Sequence, residues 1–87
     1  MHAVVVTVTI SDREAAEREL REQLVPWASH TPEFVTGYWT IKDDNGLTML
    51  MYETEDAANR MSDQVRSAVP GAVTLENVDV REVAAHA

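Results

Sequence analysis

Phe34 to Glu53, FVTGYWTIKDDNGLTMLMYE, is the stretch that decides the fold. It predicts two strands joined by a tight acidic turn at Asp43-Asp44-Asn45-Gly46, because aromatic, β-branched and Thr residues fill both arms and Asn-Gly is a strong hairpin signal. A helix-like segment lies on each side of this hairpin, and beyond each helix lies another Val-rich strand. The predicted order of elements is therefore β-α-β-β-α-β.

The first half of the chain supplies one strand and one helix. Ala3 to Ile10, AVVVTVTI, is β-branched almost throughout and predicts a central strand. Ser11, with Glu14 three residues later, matches a capping box and predicts the start of the helix. Pro26 lacks the donor that a helix interior needs, so we expect a kink or an end near Leu24 to Trp27. The inner face of this helix is Ala16, Leu20, Leu24, Trp27 and Ala28.

The second half supplies another helix and the last strand. Thr54 is a suitable N-cap for a helix that extends to Val69 and is ended by Pro70-Gly71. Its predicted inner face is Ala58, Met61 and Val65, with Val69 as a further candidate. Val73 to Val83 is the last strand. Its apolar residues change parity along the strand, which a bulge or a change of environment near Asn77 would explain.

Strand alternation divides the hairpin into two faces, and neither carries the regular charges of a solvated face. A loop of two or four residues places Trp39, Ile41, Leu50 and Tyr52 on one face and Tyr38, Thr40, Met49 and Met51 on the other. Two helices cover only one face of a four-stranded sheet. We therefore expect a second copy of the chain to cover the face that carries Tyr38, giving a homodimer. The alternative is a monomer with a modestly apolar sheet face.

Composition narrows the function classes. The 87 residues form one predicted domain, 1–87, with no Cys and a net charge of −8. An acidic surface repels phosphate and anionic lipid, so neither a nucleic-acid partner nor a membrane partner is expected. Apolar runs fall short of the roughly 20 residues that span a bilayer, and the first ten residues do not match a signal peptide. A cytoplasmic location is the expectation.

These residues resemble the dimeric α+β barrel superfamily, and within it the antibiotic biosynthesis monooxygenase-like domains. The resemblance covers nearly the whole chain and is carried by VVVTVTI, by TPEFVTGYW and by MLMYETEDAANRM. Members commonly show a Pro-x-Phe-x-x-Gly step before the second strand and an aromatic–Glu–small–x–x–Ala step into the second helix. The resemblance implies a ferredoxin-like β-α-β-β-α-β protomer, with an antiparallel sheet and two helices on one face, which dimerises sheet to sheet.

The resemblance also distinguishes two activities found among its members, haem degradation and cofactor-independent quinone formation. Haem-degrading members resemble one another in a first-strand Asn, a Trp at the end of the third strand and an axial His on a helix. Here these positions fall on Val6 or Thr7 and on Tyr52, and the second helix contains no His. We therefore expect no haem degradation and no cofactor. Cofactor-independent quinone-forming oxygenases use polar groups around a phenolic substrate, and Tyr52 and Trp39 are similar to part of such a pocket.

Four residues are candidates for substrate binding: Trp39, Tyr52, Thr7 and His30. Trp39 and Tyr52 share a face and could stack on a flat ligand; the alternative is that both are core aromatics with hydrogen-bonded polar tips. Thr7 or Tyr52 would supply a polar contact. His30 is the histidine outside the terminal segments, with a pKa suited to proton transfer, and its alternative is a solvated loop residue. The three His are too scattered for a metal site, so none is expected.

The sequence leaves three interpretations open. The first is a small dimeric barrel that binds a flat aromatic metabolite and oxidises it as a cofactor-independent monooxygenase. The second is a non-catalytic small-molecule-binding or interaction module of the same fold. The third is a ligand-sensing domain that acts beside another chain. A cavity lined by Trp39, Tyr52 and a titratable group would favour the first interpretation, and a filled protomer core would favour the second.

Overall fold

The computed structural model of the chain describes residues 1–69 and 71–87. Its elements follow the predicted order. The strands are β1 (His2–Ile10), β2 (Phe34–Lys42), β3 (Asn45–Tyr52) and β4 (Val73–Glu82). Between β1 and β2 run α1 (Arg13–Glu19), a π-helical segment (Leu20–Leu24) and α2 (Val25–Ser29), which together form a continuous helical arm. A further helix, α3 (Glu55–Ser67), joins β3 to β4.

The four strands form one antiparallel sheet in the order β2-β3-β1-β4. The first and third strands therefore lie side by side at the centre, as the right-handed crossover rule predicts. The helical arm and α3 both pack on one face of this sheet, where residues of both bodies meet inward residues of every strand. The predicted ferredoxin-like α+β architecture is confirmed.

The two faces of the hairpin agree with the predicted parity. Leu50 and Tyr52 are buried on the helix side, at 2% and 1% exposure, and Trp39 and Ile41 are half-buried there. Tyr38 is 62% exposed and Met49 is 36% exposed on the opposite side. In this chain the helices leave one sheet face uncovered.

The turn of the hairpin occupies only the first half of the predicted Asp43-Asp44-Asn45-Gly46 turn and does not include the Asn-Gly pair. Lys42 and Asn45 are paired as strand residues, so the loop is Asp43-Asp44, and Asp43 takes the positive φ of 56°. Gly46 instead lies inside β3, opposite Val8. A Cβ at Gly46 would lie 2.7 Å from Cγ2 of Val8, so a strand position, and not the turn, requires this glycine.

The first helix begins one residue later than the capping box predicts. Asp12 is the N-cap, and its carboxylate accepts a hydrogen bond from the Ala15 N–H at 3.1 Å. Ser11 has a different partner, because both its N–H and its hydroxyl donate to the Ala72 carbonyl at 2.9 Å. A contact across 61 residues thus replaces the local cap that the sequence suggested.

Of the kink or end expected near Leu24 to Trp27, the end is wrong, because the helical arm continues to Ser29. Pro26 lies inside the continuous arm, directly after the π-helical segment, and supplies no N–H donor to it. The irregularity lies one turn earlier, where the Val25 N–H donates to the Leu20 carbonyl, five residues back. The arm still presents its predicted inner face, and all five of those residues face the space between the helices and the sheet.

The second half follows the sequence closely. Thr54 caps α3 through its hydroxyl, which accepts from the Ala57 N–H at 3.2 Å. The helix ends at Ser67, two residues before the predicted end. The helix was predicted to be ended by Pro70-Gly71, and Pro70 lies outside the described residues. The bulge near Asn77 is confirmed, because Thr7 pairs with Asn77 while Val8 pairs with Leu75.

Candidate functional site

A small apolar cavity lies between the helical arm, α3 and the sheet. Its volume is about 90 Å³. The sheet contributes residues of all four strands, most of them directed inward, and the two helical bodies contribute their apolar faces. The lining residues are Val6, Val8, Ile10, Ala16, Leu20, Leu24, Trp27, Ala28, Trp39, Thr40, Ile41, Gly46, Thr48, Leu50, Met61, Val65, Ala68, Val69, Val73 and Leu75.

The chemistry of this lining is almost wholly apolar. Among the residues that the structure describes, the lining includes no ionisable side chain. Thr48 has the same strand parity as Leu50, so its side chain is directed to the helix side and offers a hydroxyl there. A site of this kind binds hydrophobic surface and excludes charge, because an unpaired charge in an apolar space loses its hydration.

Trp39 is the aromatic wall of the cavity, and Gly37 makes room for it. A Cβ on Gly37 would lie 3.1 Å from Cη2 and 3.2 Å from Cζ3 of the indole. The six-membered ring of Trp39 therefore extends back along β2, over the position that lacks a side chain. This gives a structural reason for the glycine in the Pro-x-Phe-x-x-Gly step, which spans Pro32 to Gly37.

A second concavity lies on the outer side of this wall. This outer groove, of about 290 Å³, runs between one face of the helical arm and the inward residues of the edge strand β2. It shares Leu20, Trp39 and Ile41 with the cavity. The remaining groove residues are Glu17, Arg21 and Val25. The apolar cavity and a groove with charged residues therefore have three side chains in common.

Tyr52 is placed in the core and not on the cavity. Its ring is 1% exposed and packs edge-to-face on Phe34, with 5.8 Å between the ring centroids. Its hydroxyl lies 2.6 Å from the Thr31 hydroxyl, which donates to the Ala28 carbonyl at 2.6 Å. Because Thr31 uses its proton there, Tyr52 donates to Thr31. Burial raises the pKa of the Tyr52 phenol.

The structure does not bring the four candidate residues together. Trp39 lines the cavity, whereas Tyr52 lies at the other end of β3, four residues beyond the partner of Trp39. Thr7 pairs with Leu47 and Asn77 and belongs to the opposite face of the sheet. His30 is exposed after α2, and its Nδ1 donates to the Pro26 carbonyl at 2.6 Å.

Metal ligands do not converge anywhere in the described part of the chain. Residues 1–69 and 71–87 contain no group of three His, Asp or Glu side chains placed to hold an ion. The same residues include no helix of the length and apolarity that crossing a membrane requires.

Sequence reasoning missed three cavity residues that parity alone could have indicated. Thr48 and Gly46 alternate with Leu50 on the inward side of β3, and Leu75 is inward on β4 before the bulge. The outer groove carried no comparable signal. It depends on where the helical arm lies relative to the edge strand, which no local pattern specifies.

Comparison with known proteins bears on the fold. No protein-family description matches this chain, and no curated protein sequence matches it. A monooxygenase from the gene ActVA-Orf6 of Streptomyces coelicolor, solved with the ligand nanaomycin D, superposes on 98% of this chain and over 90% of its own length. The TM-score is 0.60 at 17% identity. The chain has the fold of that monooxygenase.

A second solved structure supports the same conclusion. MupZ from Pseudomonas fluorescens superposes on 91% of this chain with a TM-score of 0.69 at 11% identity. The chain spans 65% of the length of MupZ. The resemblance to the antibiotic biosynthesis monooxygenase-like fold is therefore confirmed, and at these identities the likeness is one of fold.

Proposed function

We propose that this protein binds a small, flat, aromatic metabolite between its helices and its sheet and oxidises it as a cofactor-independent monooxygenase. The observation that carries the proposal is the apolar cavity walled by Trp39. The fold shared with a monooxygenase that was solved with nanaomycin D supports it. An aromatic wall and an aliphatic floor suit a planar ring, which gains dispersion and offset stacking there.

The reaction must take its electrons from the substrate. For an anthrone, one oxygen atom of O₂ becomes the new carbonyl on the ring methylene carbon, and the other leaves as water with the two methylene hydrogens. The methylene carbon is oxidised and O₂ is reduced, so no further reductant is needed. In this proposal Trp39 orients the ring and the Thr48 hydroxyl contacts a substrate oxygen. The apolar lining keeps other water from the oxidised carbon.

Binding requires the cavity to enlarge. A space of about 90 Å³ is smaller than the roughly 150 Å³ apolar cavity that holds benzene. Small-molecule sites usually measure about 300–1,000 Å³. The outer groove lies directly across the wall formed by Leu20, Trp39 and Ile41. Displacement of Leu20 and Ile41, with Trp39 kept as the wall on which the ring stacks, would join the two spaces and bring them into that range.

The test is turnover of 1,8-dihydroxyanthrone under oxygen, with quinone formation measured against the protein-free rate. With ¹⁸O₂, the expected quinone carries one labelled oxygen atom at the former methylene. Trp39→Ala should reduce the rate at least ten-fold, whereas Trp27→Phe keeps an aromatic ring on the helical arm and should reduce it less. A quinone rate equal to the protein-free rate would overturn the catalytic proposal.

A second candidate function, a non-catalytic binding module, is favoured by one observation. The described cavity lining has no ionisable group to act as a base, and Tyr52 already donates its proton to Thr31. This alternative predicts that 1,8-dihydroxyanthrone binds without faster oxidation. Nuclear magnetic resonance under argon, which reports binding alone, separates the two functions: shifted methyl signals of Leu20 and Val65 without aerobic turnover would establish the binding module.

The proposal includes a homodimer formed through the sheet face opposite the helices. Tyr38, Leu47 and Met49 are all at least 36% exposed on that face. Val5, directly opposite Met49 on the central strand β1, is half-buried beside them. A second copy presents the same patch, so a two-fold axis would cover both at once. Thr7 would then lie in the dimer interface.

A further inference from the structure

We propose that the ligand is an aromatic carboxylate, with its ring in the cavity and its carboxylate in the outer groove beside Arg21. This inference rests on the proposed function, which supplies the apolar body of the ligand. It adds the chemical class of the ligand and a residue that determines specificity.

The argument begins with the wall that the two spaces share. Leu20, Trp39 and Ile41 line both the cavity and the groove. A ligand that displaces Leu20 and Ile41 beside Trp39 occupies both spaces, with one end among apolar side chains and the other at the surface. The cavity end must be uncharged, because the described lining offers no partner for a charge.

The charges of the groove decide which polar end fits. The helical arm presents Glu17 and Arg21, one helical turn apart, to the groove. Glu17 is already engaged, because its Oε1 lies 3.5 Å from Nε of Arg13. Arg21 makes no ion pair within 4.0 Å among the residues that the structure describes. A planar guanidinium matches a carboxylate with two parallel hydrogen bonds, so Arg21 is suited to an acid.

The local backbone places Arg21 at this position. It lies in the π-helical segment, whose wider turn is closed by the hydrogen bond from the Val25 N–H to the Leu20 carbonyl. Leu20 thus contributes to the wall while Arg21, the next residue, lies on the groove. Single π-helical turns within α-helices occur frequently at functional sites.

The net charge of −8 makes this contact selective. An acidic protein repels anions in general, so an acid binds only where a local cation and an apolar site act together. The expected discrimination is small, about two- to five-fold, which is the range of an exposed charge pair.

The experiment compares 2-naphthoic acid with 2-naphthamide, its uncharged analogue of the same shape, by isothermal titration calorimetry at low salt. The wild-type protein should bind the acid about two- to five-fold more tightly than the amide. Arg21→Gln should abolish that preference by weakening the acid alone. Glu17→Gln should strengthen it. Arg18→Gln is the matched control, since it removes the same charge from an exposed position on the arm outside the groove, and it should keep the preference.

The outcomes separate this inference from the proposed function. If the wild type binds both compounds equally, or Arg18→Gln matches Arg21→Gln, the carboxylate inference is wrong while the apolar site stands. If neither compound binds, the proposed function fails and the inference fails with it. An acid preference that survives 0.5 M salt unchanged would also contradict a contact at an exposed arginine.

Discussion

The indole of Trp39 lies over Gly37, two residues earlier on the same face of β2, with only 3.1 Å between its Cη2 and the place where a Cβ would stand. The same Cβ would lie 2.9 Å from Cδ2 of Leu50 on the neighbouring strand. A glycine therefore sets the position of the aromatic wall, and through it the boundary between cavity and groove.

Gly37→Ala should displace that wall. Neither contact has room for a methyl group, so the indole and Leu50 must shift, at a cost of about 1–3 kcal/mol in the free energy of unfolding. Urea denaturation measures the cost, and the tryptophan near-ultraviolet dichroism reports the shift. Gly71→Ala is the control, because a Cβ there meets nothing within 4 Å. Equal stability of the two variants would contradict this account of Gly37.

Tyr52 should make the fold sensitive to alkali. Its pKa is raised in the folded state, so the unfolded chain loses the phenolic proton first, and stability falls as the pH rises above about 10. The slope from this group is at most about 1.4 kcal/mol per pH unit. Urea denaturation between pH 8 and pH 11 should show a shallower loss for Tyr52→Phe than for wild type.

The matched variant for this measurement is Tyr38→Phe on the Met49→Glu background, in which no second copy covers the exposed phenol on the other sheet face. It should keep the slope of Met49→Glu. At pH 7, Tyr52→Phe should also cost about 1 kcal/mol, the usual net value of one hydrogen bond, because the contact with Thr31 is lost. Identical alkaline slopes for the two variants would show that Tyr52 is not the group responsible.

The uncovered sheet face should hold two copies together. Met49→Glu places a carboxylate among apolar side chains at the proposed seam, and leaving it buried without a partner is strongly unfavourable. Sedimentation equilibrium should show a dimer for wild type at micromolar concentration and at least ten-fold weaker association for the variant. Gln64→Glu adds the same charge on an exposed part of α3 and should leave the dimer intact. A monomeric wild type would refute the dimer.

The alternation of residues along the strands predicted more of the structure than any other sequence feature. Alternation along β2 and β3 placed Trp39 and Leu50 on the helix side and Tyr38 and Met49 on the other, because each strand residue points to the face opposite its neighbours. The order of elements gave the sheet topology through the handedness of the crossovers. These features depend on local geometry, which a sequence carries directly.

The site needed information that parity does not contain. Trp39 and Tyr52 share a face, yet register places Trp39 opposite Thr48 and Tyr52 opposite Phe34, about 13 Å apart along β3. Parity assigns a face and says nothing of position along a strand. Ser11 shows the same limit at a helix end, where its bond to Ala72 displaced the predicted cap to Asp12. Contacts between residues distant in sequence determined the strand register and the helix start, which the local patterns did not specify.

Filling the cavity should separate ligand binding from folding. Val65 is half-buried on the inner face of α3 and lines the cavity. An aromatic ring at this position would therefore have a space of about 90 Å³ to occupy. Val65→Phe should therefore unfold within a few degrees of the wild-type protein, since added apolar contact offsets the strain of insertion. Affinity for 2-naphthamide should fall at least ten-fold, because the phenyl ring takes the place of the naphthyl ring. Val65→Ile adds one methylene and should keep most of the affinity. Calorimetry and thermal unfolding on the three proteins test both statements, and undiminished binding by a folded Val65→Phe protein would place the ligand outside this cavity.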